Sequence, residues 1–505
     1  MHGRRESFGP LLPALFLLGL AAWPAAARGG DAPSSGGEIS ASDTVPLSDE
    51  QIVARIDELI QQAWSDEELR PSKPATDGEW CRRVYLDCLG RIPTVEETER
   101  FLNDRSREKR VELVKALTAS DDYIESFARN WTTIWTNVLI GRTGGLQRRS
   151  LINRDGLEQY LRRAFLRDKP YDRMVEDLLT ATGSNTPGQE DYNGAVNFLL
   201  DKLDEEGVQA TTKTAQIFLG VQIQCTQCHD HPFNSSWKMK QFWGFNGFFR
   251  QARPLRTFEG RNIANVRLAD QDYGGPAAIG DQKNAVVSFD RRDGTNEQAF
   301  PTFLDGTRID PSGYLADVNR RQELANLIVR SEYLDPAVVN RTWAHFLGYG
   351  FTKPIDDMGP HNPVSHPELL EFLAEQFRAH GRDQKQLIRW IALSEAYGLS
   401  SRITSSNEAD DPAAGEMPMF SHFYMRQMRV EEVFESLNVA TQAASGVDYD
   451  AQAELRDRWM RQFTIAFDTD ENDETTTFNG TIPQTVMMMN GEMMQRAAAY
   501  EPGAL

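Results

Sequence analysis

Two of the chain's four cysteines and two of its eight histidines fall in one short run, Gln224-Cys225-Thr226-Gln227-Cys228-His229-Asp230-His231-Pro232-Phe233. The Cys-x-x-Cys-His spacing constrains the fold more than any other feature. One turn of backbone must present both thiols together, with an imidazole directly behind them. It is the attachment pattern of c-type haem, in which Cys225 and Cys228 add to the porphyrin vinyl groups and His229 becomes the proximal iron ligand. His231 follows His229 too closely to reach the opposite face of the iron. A sixth ligand would come from afar: His345, His361, His366, His422 or a methionine such as Met489. The same residue types admit a second reading, a zinc or iron site built from Cys225, Cys228, His229 and His231, since thiolate and imidazole suit tetrahedral coordination. A third is a Cys225–Cys228 disulfide, or free thiols, with Asp230 and His231 capping a turn.

The N-terminus bears on the choice. Arg4 and Arg5 precede an apolar run from Leu11 to Trp23, and Pro24-Ala25-Ala26-Ala27 follows, the three regions of a secretory signal peptide. We expect cleavage near Ala27, a periplasmic or secreted mature chain and no membrane span within it. Covalent haem and persistent disulfides both belong to that setting. A net charge of -20 excludes nucleic acid as the main partner, because a phosphate backbone demands a basic surface.

Periodicity predicts a mainly α protein: two helical domains with a small β-rich insertion between them. The boundaries are a signal peptide at 1–27, a disordered leader at 28–47, a helical domain at 48–250, the β-rich insertion at 251–315, a second helical domain at 316–497 and a tail at 498–505. Ser48 caps a helix with Ile52, Ile56, Leu59 and Ile60 on one face, and a capping box at Thr94 and Glu97 opens another. Cys81 and Cys88 lie two turns apart on a helix stopped by Gly90, beyond disulfide reach of each other. Ser120 is expected to cap a helix carrying Phe127, Trp131 and Trp135. A helix from Val208 to Gln224 delivers Cys225 at its end. Beyond it Trp237, Phe242, Trp243, Phe245, Phe248 and Phe249 either shield a flat cofactor or fill a core. Short alternating runs between Arg253 and Ser312 read as strands. Helices follow at 320–329, 336–346, 365–379, 384–394, 425–437 and 450–463, before an acidic loop at 468–480 that lacks the Gly and Glu of a calcium loop. Asp356, Asp357, His361, Asn362, His366 and Glu368 crowd one turn, as a metal or acid–base site or as a solvated loop and helix cap; Asp357, His361 and His366 are its candidate site residues.

Several runs taken together carry a resemblance: Cys81 to Thr94, Phe218 to Phe233, Asn340 to Gly348, His366 to Leu370 and Pro483 to Asn490. The chain resembles a planctomycete-type family of exported proteins that pairs a cytochrome-c-like domain of unknown function, at about 48–250, with a second such domain at about 316–497. Cys81 and Cys88 depart from that pattern, which has apolar residues there. Motif and export together predict an exported c-type-haem redox or electron-transfer protein with an unknown redox partner. The alternatives are a zinc- or iron-binding protein, possibly a hydrolase, and a structural or carbohydrate-associated binding protein.

Overall fold

Ser48 opens the first helix: its hydroxyl accepts the Gln51 amide while the Gln51 side chain accepts the amide of Ser48, a closed capping box. The computed structural model describes residues 45–147, 150–200, 202–234, 237–274, 282–441, 458–460 and 490–497. The expectations for residues 1–44, 468–480, 498–505 and Met489, and most of the helix at 450–463, lie outside the described residues.

The architecture is mainly helical. In the first half, α1 (Asp49–Asp66), α2 (Asp77–Leu89), α3 (Val95–Asn103), α4 (Lys109–Ala119), α5 (Ile124–Ile140), α6 (Arg154–Leu166), α7 (Tyr171–Thr180) and α8 (Asp204–Phe218) lead to α9 (Met239–Asn246). A two-residue strand β1 (Gly183–Ser184) precedes α8. Antiparallel β2 (Ala252–Glu259) and β3 (Asn262–Asp270) join it in the order β1-β3-β2, and β4 (Val287–Asp290) pairs with β5 (Asn296–Ala299). Helices resume with α10 (Arg320–Arg330), α11 (Leu334–Leu347), α12 (Pro367–Ala379), α13 (Gln384–Leu393), the short α14 (Glu395–Gly398), α15 (Val430–Thr441) and α16 (Glu492–Ala497).

The apolar faces meet in one continuous core that includes Ile56, Trp80 and Phe218 from the first half and Leu324, Trp343 and Trp390 from the second. Thus the helices on both sides of the strands bury their stripes together. Buried Asp87 on α2 ties them further, accepting Tyr397 Oη–H at 2.6 Å and the Arg426 guanidinium. Gly90 ends α2 at φ +70, and a Cβ there would come within 2.5 Å of Asn130 Oδ1.

Two local expectations change, the Ser120 cap and the helix leading to Cys225. Helix α5 starts after Tyr123 with no side-chain cap, so Ser120 serves only through its backbone, accepting the Tyr123 and Ile124 amides. Trp131 and Trp135 face the core, against Phe165 and Phe346 for the first and Tyr171 for the second. The helix drawn from Val208 to Gln224 stops at Phe218. Gly220 stops it, at φ +63, where a Cβ would lie 2.9 Å from Met358 Sδ and 3.1 Å from Ala337 Cβ. Cys225 therefore stands on a separate 3₁₀ turn, Gln224–Gln227, instead of a helix end.

Candidate functional site

The 3₁₀ turn is fixed from within by Thr226, which is buried and donates its hydroxyl to Ile223 O at 2.6 Å. Cys225 and Cys228 ride its outer face as exposed free thiols. His229 follows, its Nδ1 2.7 Å from Asp230 O. A carbonyl can only accept, so Nδ1 carries the ring proton and Nε2 keeps the lone pair. The Asp230 carboxylate accepts the Met239 amide at 3.2 Å and pairs with Lys238 at 3.1 Å.

His231 has the opposite polarity. Its Nδ1 accepts the amides of Asn234 at 3.0 Å and Phe233 at 3.3 Å, and its own amide donates to Trp237 O at 2.9 Å. An acceptor Nδ1 places the one proton of the neutral ring on Nε2. His231 thus offers an N–H donor and a turn cap, and in this arrangement it has no lone pair left for a metal. Burial, then the neighbouring His361, holds its pKa below the ordinary histidine value.

The second candidate cluster packs against this loop. Asn340 on α11 shapes the approach, donating Nδ2–H to Thr352 Oγ1 and Ile355 O, both at 2.9 Å, and accepting the Phe351 amide at 2.6 Å. Asp356 accepts Gln216 Nε2–H at 2.6 Å and Gln222 Nε2–H at 2.8 Å, while the Met358 amide donates to Gly220 O at 2.7 Å. These bonds seat the 356–361 turn on the segment that leads into the cysteines. His361 then donates Nε2–H to Asp357 Oδ2 at 3.0 Å and lies 4.9 Å, centroid to centroid, from His231. Phe233 stacks on it at 6.4 Å, within 6.3 Å of His231 as well, and Trp237 meets it edge-on at 6.1 Å. Gly359 makes the fit possible: a Cβ there would fall 2.4 Å from His361 Cε1 and 2.6 Å from Nδ1.

Of the site residues predicted from sequence, Cys225, Cys228, His229, His231, Asp357 and His361 therefore occupy one locality. His366 does not join them. It bonds Ser365 Oγ at 2.9 Å among the rings of Phe351 and Phe420, and burial pushes its pKa down to about 4. His345 sits between Trp131 and Phe346 with Nε2 on Asp87 O at 3.1 Å, held down to about 3 by burial and then Arg429. His422 packs on Tyr424, 3.8 Å from Asp410. Among the distal histidines only His361 stands against the motif loop. The aromatic run divides as well: Phe242, Phe245, Phe248 and Phe249 are buried in the core, so shielding from this run falls to the half-buried Trp237 and Trp243. Cys81 and Cys88 are buried free thiols on α2, the first pushed up to about 12 by burial, and act as small apolar side chains.

Sequence reasoning missed Gln216, Gln222 and Gly359. Glutamines facing a carboxylate leave no spacing signature, and a glycine needed only for a close approach looks like any turn glycine. No group of three or more ligating side chains arranged to hold a metal ion occurs among the described residues.

Fold and site define a mainly helical protein in which a Cys-x-x-Cys-His turn from the first half is seated on a histidine- and aspartate-bearing turn from the second. The comparisons divide the chain in the same way. Residues 55–254 match the family PSCyt2, a protein of unknown function (DUF1549), and residues 320–501 match PSD1, a protein of unknown function (DUF1553). No curated protein and no solved structure matches the chain.

Proposed function

We propose that the chain is an exported redox protein that carries c-type haem on Cys225 and Cys228, with His229 as proximal ligand. The observation that carries this reading is the polarity of His229. An iron-binding imidazole works best when its other nitrogen donates to a fixed acceptor, which sets the tautomer and ring orientation. Asp230 O provides that acceptor, and the thiols on the preceding turn are both accessible for thioether formation. When bound, haem c supplies one-electron chemistry. The chain's own contribution is to present two thiols and one imidazole lone pair from a single rigid turn and to leave Phe233, 77% exposed, beside them. Electron transfer to a redox partner outside the cytoplasm is the role that fits, with export through the N-terminal leader.

The zinc or iron reading loses its fourth ligand, because the acceptor nitrogen of His231 is already spent on two amides. A hydrolase reading would need His361 as base, yet its Nδ1 faces Gly359 where not even a methyl group fits. Neither alternative is favoured by a specific contact.

The test is expression in a host competent for c-type cytochrome maturation, followed by an absorption spectrum and an intact mass. A Soret band, reducible α and β bands and the mass of one haem that survives denaturation are expected. Cys225→Ala with Cys228→Ala should abolish the added mass, while His231→Gln should retain it. Colourless protein without added mass overturns the proposal.

A further inference from the structure

A cavity of about 920 Å³ opens on the face that carries the β2–β3 hairpin, lined also by Ser150 and Leu151 and by Asn185 and Thr186. Its size is that of an ordinary ligand site, roughly 300–1,000 Å³. Four independent features of its wall point to one chemistry.

The first is apolar surface left in water. Phe258 is 58% exposed and its cross-strand partner Ile263 is 37% exposed. An aromatic ring standing free at the lip of a polar cavity is a stacking platform for a ring with an apolar face. The second is a β-bulge beside it. Thr257 pairs with Asn265 and Phe258 with Ile263, so Ala264 is the extra residue on β3. Bulges re-aim the side chains next to them, and the neighbour of this bulge on β3 is Asn265.

The third is the way Asn265 is held. Its Oδ1 accepts Ser184 Oγ–H at 2.6 Å and Thr186 Oγ1–H at 3.0 Å. With the oxygen committed, the Nδ2 amino group has no partner among the described residues, and it lines the cavity with two N–H donors in a fixed plane. The fourth is charge. Arg256 and Arg261 line the same wall; Asp204, which lines the cavity too, answers Arg256 at 3.4 Å, and Arg261 has no ion pair among the described residues. A cationic lip is conspicuous on a chain of net charge -20.

We infer that this cavity binds an acidic sugar chain, with a pyranose ring against Phe258, a hydroxyl on Asn265 Nδ2 and a carboxylate or sulfate on Arg261. The arrangement follows from the parts. A sugar ring presents C–H groups on its faces and hydroxyls at its rim, and a guanidinium matches a planar or tetrahedral oxyanion with paired N–H groups. A neutral glycan would leave Arg261 unanswered, and the chain's net charge of -20 opposes a nucleic acid. The inference is independent of haem: the cavity and the cysteine turn share no residue.

The experiment is isothermal titration of the purified full-length chain with an oligogalacturonide, a sulfated galacto-oligosaccharide and a neutral galacto-oligosaccharide of equal length. At least one acidic ligand should bind at low salt with Kd from roughly 10 µM to 1 mM, and the neutral one at least tenfold more weakly. Phe258→Ala, Asn265→Ala and Arg261→Ala should each weaken binding about tenfold or more. Arg267→Ala, which removes an equal charge from a hairpin position outside the cavity, should change it less than twofold. Phe258 and Arg261 are exposed, so circular dichroism should show these two variants folded. Absence of binding, equal affinity for the neutral sugar, or equal losses in Arg267→Ala and Arg261→Ala would each overturn the assignment.

Discussion

The imidazole of His231 lies 4.9 Å from that of His361, although the two belong to segments matched by different family models. Their polarities are opposite. His231 turns an Nε2–H outward because its Nδ1 caps the Phe233–Asn234 turn, whereas His361 keeps a buried acceptor at Nδ1 because Asp357 takes its Nε2–H. The buried Nδ1 of His361 takes no hydrogen bond, so contact between the segments at this point rests on ring packing and shape. The cysteine turn inherits its position from it.

Asp357→Ala tests the first link. It leaves the Nε2–H of His361 without its acceptor in a largely buried setting, for which the expected loss of stability is about 1–3 kcal/mol. Urea denaturation measures the loss, and nitrogen-15 shifts of His361 should change from a single Nε2–H tautomer to a mixture. An unchanged midpoint together with an unchanged tautomer would show that Asp357 does not orient the ring.

Gly359→Ala tests the close approach. The new methyl group would overlap the His361 ring, so one of the two must move, with a cost of about 1–3 kcal/mol. In a His361→Ala background the space is free, and the same substitution should cost less than about 0.5 kcal/mol. A double-mutant cycle gives the coupling directly. Equal costs in both backgrounds would place the strain in the backbone instead.

How much of this was legible in the sequence depends on whether a residue acts through near neighbours or distant ones. The cap at Ser48, the capping box at Thr94 and Glu97, the Gly90 stop and the Cys-x-x-Cys-His turn are local, and their residue types state their purpose. The stop of α8 at Gly220 was not legible, because what forbids a side chain there is Met358 and Ala337, far along the chain. The crowded turn at 356–368 was visible as a cluster, but its division was not. Asp357 and His361 face the cysteine loop while His366 turns into a nest of Phe351 and Phe420, and only the packing of α11 and α12 decides which way each points. The cavity beside Phe258 was hidden for the same reason, since Asn265 acquires its orientation from Ser184 and Thr186 on another element.

Stability should fall steeply in acid. The folded pKa values of His345, about 3, and His366, about 4, lie below the ordinary 6.5 because burial disfavours the charged ring. As pH drops below 6.5 the unfolded chain takes up these protons first, so stability is full above that value and is lost on the way down to pH 4 and 3. Each histidine contributes a slope of about 1.4 kcal/mol per pH unit inside its window. His366→Phe, in a site already lined by aromatic rings, should reduce the slope between pH 6 and 4.5 by about that amount. Denaturation series at several pH values measure it, and an unaltered slope would show that His366 is not the titrating group.

The last prediction concerns whether the two matched segments can melt separately. Glu432 on α15 is buried and holds Arg426 and Arg429; Arg426 also reaches Asp87 on α2, which in turn holds Tyr397. The two arginines keep the Glu432 carboxylate well below the usual range in spite of its burial. Glu432→Gln removes the charge that balances them and is expected to cost about 3–5 kcal/mol, the range for breaking a buried pair on one side. Because Ile56, Trp80, Trp343 and Trp390 share one core, that loss should be felt across both segments. Amide exchange in α2 and in α15 should therefore accelerate by the same factor, and urea unfolding should remain a single transition with an unchanged slope. Acceleration confined to α15 would mean that the second segment opens alone, and that the seat of the cysteine turn can be released while its own half stays folded.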